Sequence, residues 1–208
     1  VDFLSDRKGY TFIKGDIKDL DACMKATEGV DYVLNQAAWG SVPRSIEMPL
    51  FYEENNIRGT LNMMEAARRT GVKKFVYASS SSVYGTNKKV PYSVEDKVDN
   101  PVSLYAATKK SNELFAHAYS KLYNIPTTGL RFFTVYGPKQ RPDLAINKFT
   151  RLMMEDKEIP MFGDGTTSRD YTYIDDIVDG IIKSCNYTIE NDDVYEILNI
   201  AGLVEINA

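Results

Sequence analysis

The sequence predicts an α/β fold, a parallel sheet with helices on both faces, plus part of a smaller lobe toward the C-terminus. Three observations carry this. Short apolar runs alternate with longer segments of helical spacing between residues 10 and 137. The spacers between runs are long enough for the right-handed crossovers that parallel neighbours require. From residue 138 the texture changes to "KQRPDLA", a helical stretch and two short runs. The expected division is therefore a partial sheet domain over 1–137 and a partial lobe over 138–208, some of whose segments return to the sheet.

Taken in order, "YTFIK" (10–14) reads as a strand, and residues 19–29 read as a helix that starts at Asp19 and closes at Gly29. "DYVLNQAA" (31–38) is the second strand. A long helix over roughly 50–70 places Ile57, Leu61 and Met64 on one face, with Gly71 just past its end. "KFVYASS" (74–80) carries the aromatic and β-branched residues that suit a pleated surface. After a loop holding Gly85, Pro91 and Pro101, a helix is expected at 103–123 with an apolar stripe of Leu114, Ala118 and Leu122. "PTTGLRFFTVYG" (126–137) reads as a fourth strand, over 126–133, running into a loop, 144–156 as a helix, and 159–163 and 169–174 as short strands.

Composition narrows the function classes. An apolar content of 43% and a charged content of 26% suit a soluble domain. Twenty-five basic residues against twenty-nine acidic ones give a net charge of −4 and no basic stripe, which argues against non-specific nucleic-acid binding. An anionic ligand must then be held by a few local arginines. Cys23 and Cys185 read as free thiols in a reducing compartment. No apolar run reaches the ~18 residues needed to cross a bilayer, so no membrane contact is expected. The opening "VDFLSDRKGY" is not a signal peptide, and a cytoplasmic location is expected. Both ends read as cut. No metal-ligand cluster is evident, and His117, the one histidine, reads as structural.

Ligands of open parallel sheets bind beyond the carboxyl ends of the strands. Small residues (Ala37, Ala38, Gly40), four serines (79–82) and Thr134 follow three of the expected strands. Tyr105 and Lys109 stand four apart and share a helix face. A tyrosine of ordinary pKa, near ~10, is a poor base at neutral pH, and a nearby ammonium lowers that value. On spacing alone, an exposed phenol and amine on a solvated face remain the favoured reading.

The motifs in series are more specific. "YAATK" is a YxxxK, "SSSSVYG" precedes it, and "RFFTVYGP" and "GDGTTSRDYTYIDDIV" follow. In this order they resemble the extended short-chain dehydrogenase/reductase family, and within it the nucleotide-sugar 4-epimerases. The resemblance implies a Rossmann-like fold, NAD as cofactor and a catalytic group of Ser80, Tyr105 and Lys109. It implies that Asp16 and Ile17 bracket the adenine, and that Gln36, Ala37 and Ala38 lie along the cofactor. Lys109 would also hold the nicotinamide ribose, Asn55 would sit near substrate and cofactor, and Phe132 and Val135 would pack by the nicotinamide. An oxidised nicotinamide would add a second positive charge beside the phenol. Arg169 resembles the arginine that binds a uridine diphosphate, and Phe162 in "IPMF" would border the uracil.

The same resemblance separates close relatives. Sugar-nucleotide 4,6-dehydratases carry Asp-Glu where this chain has Ser81 and Ser82, and related decarboxylases keep the glutamate. A hydroxyl of ordinary pKa cannot replace a carboxylate as general acid or base near neutrality. The serines favour an epimerase. "SSSSVYG" and "RFFTVYGPKQRPDLA" are most similar to UDP-glucuronate 4-epimerases, with Ser81, Ser82 and Thr134 toward the sugar carboxylate. "GSVPRS" is more similar to UDP-N-acetylglucosamine 4-epimerases; there Arg44 meets a carboxylate or phosphate, or merely caps a helix. A homodimer through the helices near 50–70 and 103–123 is implied. The family's GxxGxxG loop has no match in residues 1–15, so the first βαβ portion is expected to lie outside this chain, and weak NAD binding by the 208 residues alone is expected. A non-catalytic NAD(H)-binding regulator on the same fold is the rival of a different class.

Overall fold

The computed structural model describes residues 4, 6–160, 164, 168–192, 195–202 and 205–207. Its main sheet has four parallel strands, β1 (Tyr32–Asn35), β2 (Lys74–Ala78), β3 (Thr127–Phe132) and β6 (Tyr195–Ile200), in the order β1-β2-β3-β6. A second sheet of three strands joins β4 (Thr134–Tyr136) in parallel to β5 (Ser168–Tyr173), and β5 antiparallel to β7 (Glu205–Asn207).

Alternation along the strands assigns the two faces of the main sheet. Phe75 and Tyr77 of β2 pack with Met64 and Ala67 of α4 (Gly59–Thr70) and Ala116 of α5 (Leu104–Tyr123). Each such buried aromatic contributes roughly 1.5–3 kcal/mol. On the other face, Thr128 of β3 hydrogen-bonds Thr188 of α7 (Ile174–Glu190) at 2.7 Å. The expected α/β sheet covered on both sides is therefore observed. α7 and β6 belong to this main sheet although they follow residue 138.

The remaining helices follow their sequence signals. α1 (Leu20–Thr27) is capped by Asp19, whose carboxylate accepts from the amides of Asp21 and Ala22. α2 (Val42–Glu47) is capped by Ser41, and α3 (Pro49–Tyr52) begins on a proline. α3 runs into a wide π-helical turn over Glu53–Arg58, where the Gly59 amide reaches back five residues to Glu54. α4 then closes at Gly71, whose φ of 77° suits glycine. α5 is capped by Ser103, and α6 (Ala145–Met154) follows β4.

Four expectations need correction. Residues 10–14 form no strand: Phe12 and Ile13 are exposed, and no described strand offers them a ladder beyond the edge strand β1. The fourth strand is found as β3, but the loop expected after it holds a further strand, β4, because the chain leaves the main sheet at Phe133 and joins the second one. Residues 159 and 160 are not in a strand, and 161–163 lie outside the described residues. The stripe of Leu114, Ala118 and Leu122 faces outward, with Leu114 62% and Leu122 71% exposed. α5 instead buries Ala106, Lys109, Asn112, Glu113 and Ala116 against the sheet. Polar partners in the strands make that polar face the inner one. Of the two cysteines, Cys23 is buried and Cys185 is half-buried.

Candidate active site

The carboxyl end of β2 and the inner face of α5 meet to form the site. Ser80 follows β2 and caps a short 3₁₀ turn over Ser81–Tyr84, its hydroxyl accepting from the Ser82 amide at 3.2 Å. The turn ends at Gly85, with φ at 55°. A Cβ there would sit 2.0 Å from the carbonyl oxygen of Asn100, so only glycine fits. With its lone pair engaged by Ser82, the Ser80 hydroxyl keeps its proton for Tyr105, and hydrogen bonding from Ser80 favours the ionised phenol.

Lys109 lies one turn further along α5. It is only 3% exposed, and its ammonium donates to the carbonyl of Ala78 at 2.8 Å, with Nζ 6.0 Å from the centre of the Tyr105 ring. Tyr105, Lys109 and Ser80 therefore converge.

The electrostatics differ from the expectation. Burial raises the Tyr105 pKa above its ordinary value, despite Ser80 and the charge of Arg141, which lower it. Burial also pushes Lys109 down to about 8. Lys109 is held against the sheet by Ala78, and the cation acting on the phenol is that of Arg141.

The wider surroundings include residues that the sequence reading did not single out. Arg141 donates to the Gly40 carbonyl and is paired in bidentate fashion with Asp143 at 2.8–3.0 Å. It lies within the motif "RFFTVYGPKQRPDLA", which was the available signal. Tyr52 stacks edge-on to Tyr105 at 6.5 Å between ring centres, and its buried hydroxyl has no hydrogen-bond partner among the described residues. Asn56, wholly buried, ties the Trp39 backbone in both directions and reaches Thr108 Oγ1 at 3.1 Å. The π-helical turn brings both Asn55 and Asn56 inward; Asn55 itself donates to the Phe51 carbonyl at 2.7 Å.

The other residues predicted to line the site are distributed as follows. Asp16 is exposed and accepts from the Lys18 amide; Ile17 is pinned to the helices by bonds to its carbonyl from Cys23 and Asn62. Gln36, Ala37 and Ala38 are exposed just past β1, with the Ala37 amide held by Asn35. Ser81 and Ser82 are half-buried in the 3₁₀ turn, and Phe132, Thr134 and Val135 are half-buried where β3 passes into β4. Arg44 is exposed on α2 with its charge felt by Asp143, which places it beside Arg141. Arg169 is exposed on β5. Phe162 lies outside the described residues.

Comparisons with known proteins identify the family and the fold. The model of the NAD dependent epimerase/dehydratase family matches residues 3–201. A UDP-glucuronate 4-epimerase from Thermodesulfobacterium geofontis is 42% identical over 201 residues, 96% of this chain and 60% of that protein. The structure of the Bacillus cereus UDP-glucuronic acid 4-epimerase with UDP-glucuronic acid and NAD has a TM-score of 0.88 at 38% identity, over 99% of this chain and 62% of that one. A dTDP-glucose 4,6-dehydratase double mutant from Streptomyces venezuelae with NAD bound reaches a TM-score of 0.90 at 29% identity, over 99% and 62%. The chain spans between 43% and 61% of the length of such curated relatives. The ordered motifs, the Rossmann-like sheet and the family match together establish that the chain belongs to the NAD-dependent epimerase/dehydratase family, the extended branch of the short-chain dehydrogenases/reductases.

Proposed function

We propose that the complete protein is an NAD-dependent UDP-sugar 4-epimerase that interconverts UDP-glucuronate and UDP-galacturonate. The observation that carries this is the convergence of Ser80, Tyr105 and Lys109, followed by two serines where dehydratases have two acids.

The residues fit NAD. The buried Tyr52 hydroxyl lacks a partner among the described residues, which costs about 1–3 kcal/mol until a ligand's polar group satisfies it. The methyl side chains of Ala37 and Ala38 leave the β1 end open to a flat ligand. Asp16, Ile17, Gln36, Ala37, Ala38, Asn55, Phe132 and Val135 would hold the cofactor with Tyr105 and Lys109. NAD, when bound, accepts the hydride from C4 of the sugar and returns it, and its oxidised ring is a positive charge that favours the phenolate.

Tyr105 as phenolate takes the proton of the C4 hydroxyl, with Ser80 hydrogen-bonded to the same oxygen. Tyr105 gives that proton back once the 4-keto sugar has presented its other face. Lys109 holds the ribose, and the charge of Arg141 favours the phenolate. Ser81, Ser82 and Thr134 meet the sugar carboxylate, and Arg169 and Phe162 hold the uridine diphosphate. The second reading, a UDP-N-acetylglucosamine or UDP-glucose 4-epimerase, is supported by Arg44 in "GSVPRS" lying beside Arg141 and Asp143. A homodimer is proposed through α5, whose Leu114, Phe115 and Leu122 are exposed.

The test offers UDP-glucuronate, UDP-N-acetylglucosamine and UDP-glucose in turn to the complete, NAD-loaded protein and follows C4 inversion by NMR. Conversion of UDP-glucuronate is expected. Inversion of only the other two would move the assignment to the second reading, and turnover of none would leave the non-catalytic regulator.

A further inference from the structure

Three successive turns of α5 grip three successive residues at the end of β2. Tyr105 faces Ser80, Lys109 donates to the Ala78 carbonyl at 2.8 Å, and Glu113 accepts from the Ser79 hydroxyl at 2.7 Å. The third contact takes no part in the chemistry above. Ser79 and Glu113 are 2% and 3% exposed, too deep to touch substrate.

Glu113 is tied to most of the main sheet. Its carboxylate receives two bonds from Arg131 of β3, both 2.9 Å, and a longer one from Lys110 at 3.4 Å. Its backbone carbonyl accepts from Tyr195 of β6 at 2.7 Å. Arg131 passes on to the Tyr84 hydroxyl at 3.1 Å, and Tyr84 to Asn199 of β6 at 2.7 Å. Tyr84 is the last residue of the turn that Ser80 caps. The network therefore holds both ends of the serine turn, at Ser79 and at Tyr84, and references them to the helix that carries Tyr105 and Lys109. Nothing in the packing of an apolar core requires such a chain of polar groups, and a fully satisfied buried network fixes geometry more sharply than apolar contacts do.

We propose that Glu113, with Arg131 and Ser79, is a positioning device for the catalytic group: it sets where the Ser80 hydroxyl stands relative to the Tyr105 oxygen. The proposal rests on the epimerase reading for its kinetic consequence but not for its structural one. Removing the Ser79 hydroxyl frees the strand end to rotate, while the Glu113–Arg131 pair stays intact. The Ser80 hydroxyl then drifts from the phenol, and Tyr105 loses a contact that favours its ionised form. The other groups facing Tyr105 are Arg141 from the loop after β4, Tyr52 from α3 and Lys109 on its own helix, and none is altered.

The test compares Ser79→Ala, Ser79→Thr and Tyr105→Phe. In the NAD-free protein, the ionisation of Tyr105 is followed by ultraviolet difference absorbance against Tyr105→Phe, alongside the thermal midpoint. In the complete, NAD-loaded protein, kcat and KM for UDP-glucuronate are measured across pH. Ser79→Ala is expected to shift the Tyr105 titration upward, lower kcat by about tenfold to a hundredfold and leave KM nearly unchanged, as small misplacements do. Ser79→Thr, which restores the hydroxyl, is expected to recover both. An unmoved Tyr105 titration in Ser79→Ala overturns the proposal, including when the thermal midpoint falls, because that pattern is purely structural. Full activity of Tyr105→Phe would instead defeat the epimerase mechanism and leave the titration to decide the positioning role by itself.

Discussion

The buried charge of Lys109 opposes stability. Its ammonium is buried, and burial lowers its pKa to about 8 from an ordinary 10.5. The unfolded chain therefore holds more protons than the folded one between those values, so Lys109 makes stability rise with pH from about 8 to about 10.5. Below pH 8 both states are protonated and the full cost of burying the charge remains. Lys109→Met removes that cost and also the bond to Ala78, so a net gain of about 1–3 kcal/mol at pH 7 is expected, fading as pH approaches 10.5. Urea denaturation of both proteins across this range measures it; a constant difference would mean that the ammonium is better solvated than the geometry indicates. At this scale the sequence was informative where the chemistry is local. Tyr105 and Lys109 share a helix face, so their proximity is legible from four residues of spacing, although only the ordered motifs around them pointed to chemistry. Arg141 and Tyr52 reach Tyr105 from separate loops and helices, and no spacing rule records that approach.

Among elements, the serine turn and α5 are the most constrained. Gly85→Ala forces a Cβ against Asn100 at φ 55° and is expected to destabilise the chain by about 1–3 kcal/mol from backbone strain alone, with the collision adding to it. A denaturation midpoint equal to that of the unmodified chain would rule this out. Glu113→Ala leaves Arg131 buried and unpaired, an expected loss of about 3–5 kcal/mol, whereas Glu113→Leu with Arg131→Met is expected to recover most of it. Equal losses in the single and double variants would show that packing, not charge, governs the site. The helices around the main sheet were legible where a cap or a closing glycine is a local signal, as at Asp19 and Gly71. The inward face of α5 was not. Periodicity assigns the apolar stripe to the core, but here Glu113 and Lys109 find partners in the strands, and the leucines are left outside. The "YTFIK" run has strand composition, yet a strand exists only with a neighbour, and residues 10–14 have none among the described strands.

For the molecule as a whole, the exposed apolar face of α5 bears on assembly. Leu114→Glu combined with Leu122→Glu is expected to convert a dimer of the complete protein to monomer in sedimentation, since both side chains are more than half exposed and their replacement does not disturb the core. An unchanged sedimentation coefficient would place the interface elsewhere. The overall α/β class was legible from alternation alone. The return of late segments to the main sheet was expected without saying which, because no local signal marks β6 as the partner of β3 after the chain has left that sheet at Phe133. The central claim is that Tyr105 and its neighbours support a hydride that leaves C4 and comes back to the same carbon. UDP-glucuronate carrying deuterium at C4, incubated with the complete NAD-loaded protein in ordinary water, tests it most directly. The expected result is UDP-galacturonate that retains the label at C4; inversion with the label lost to solvent would contradict it.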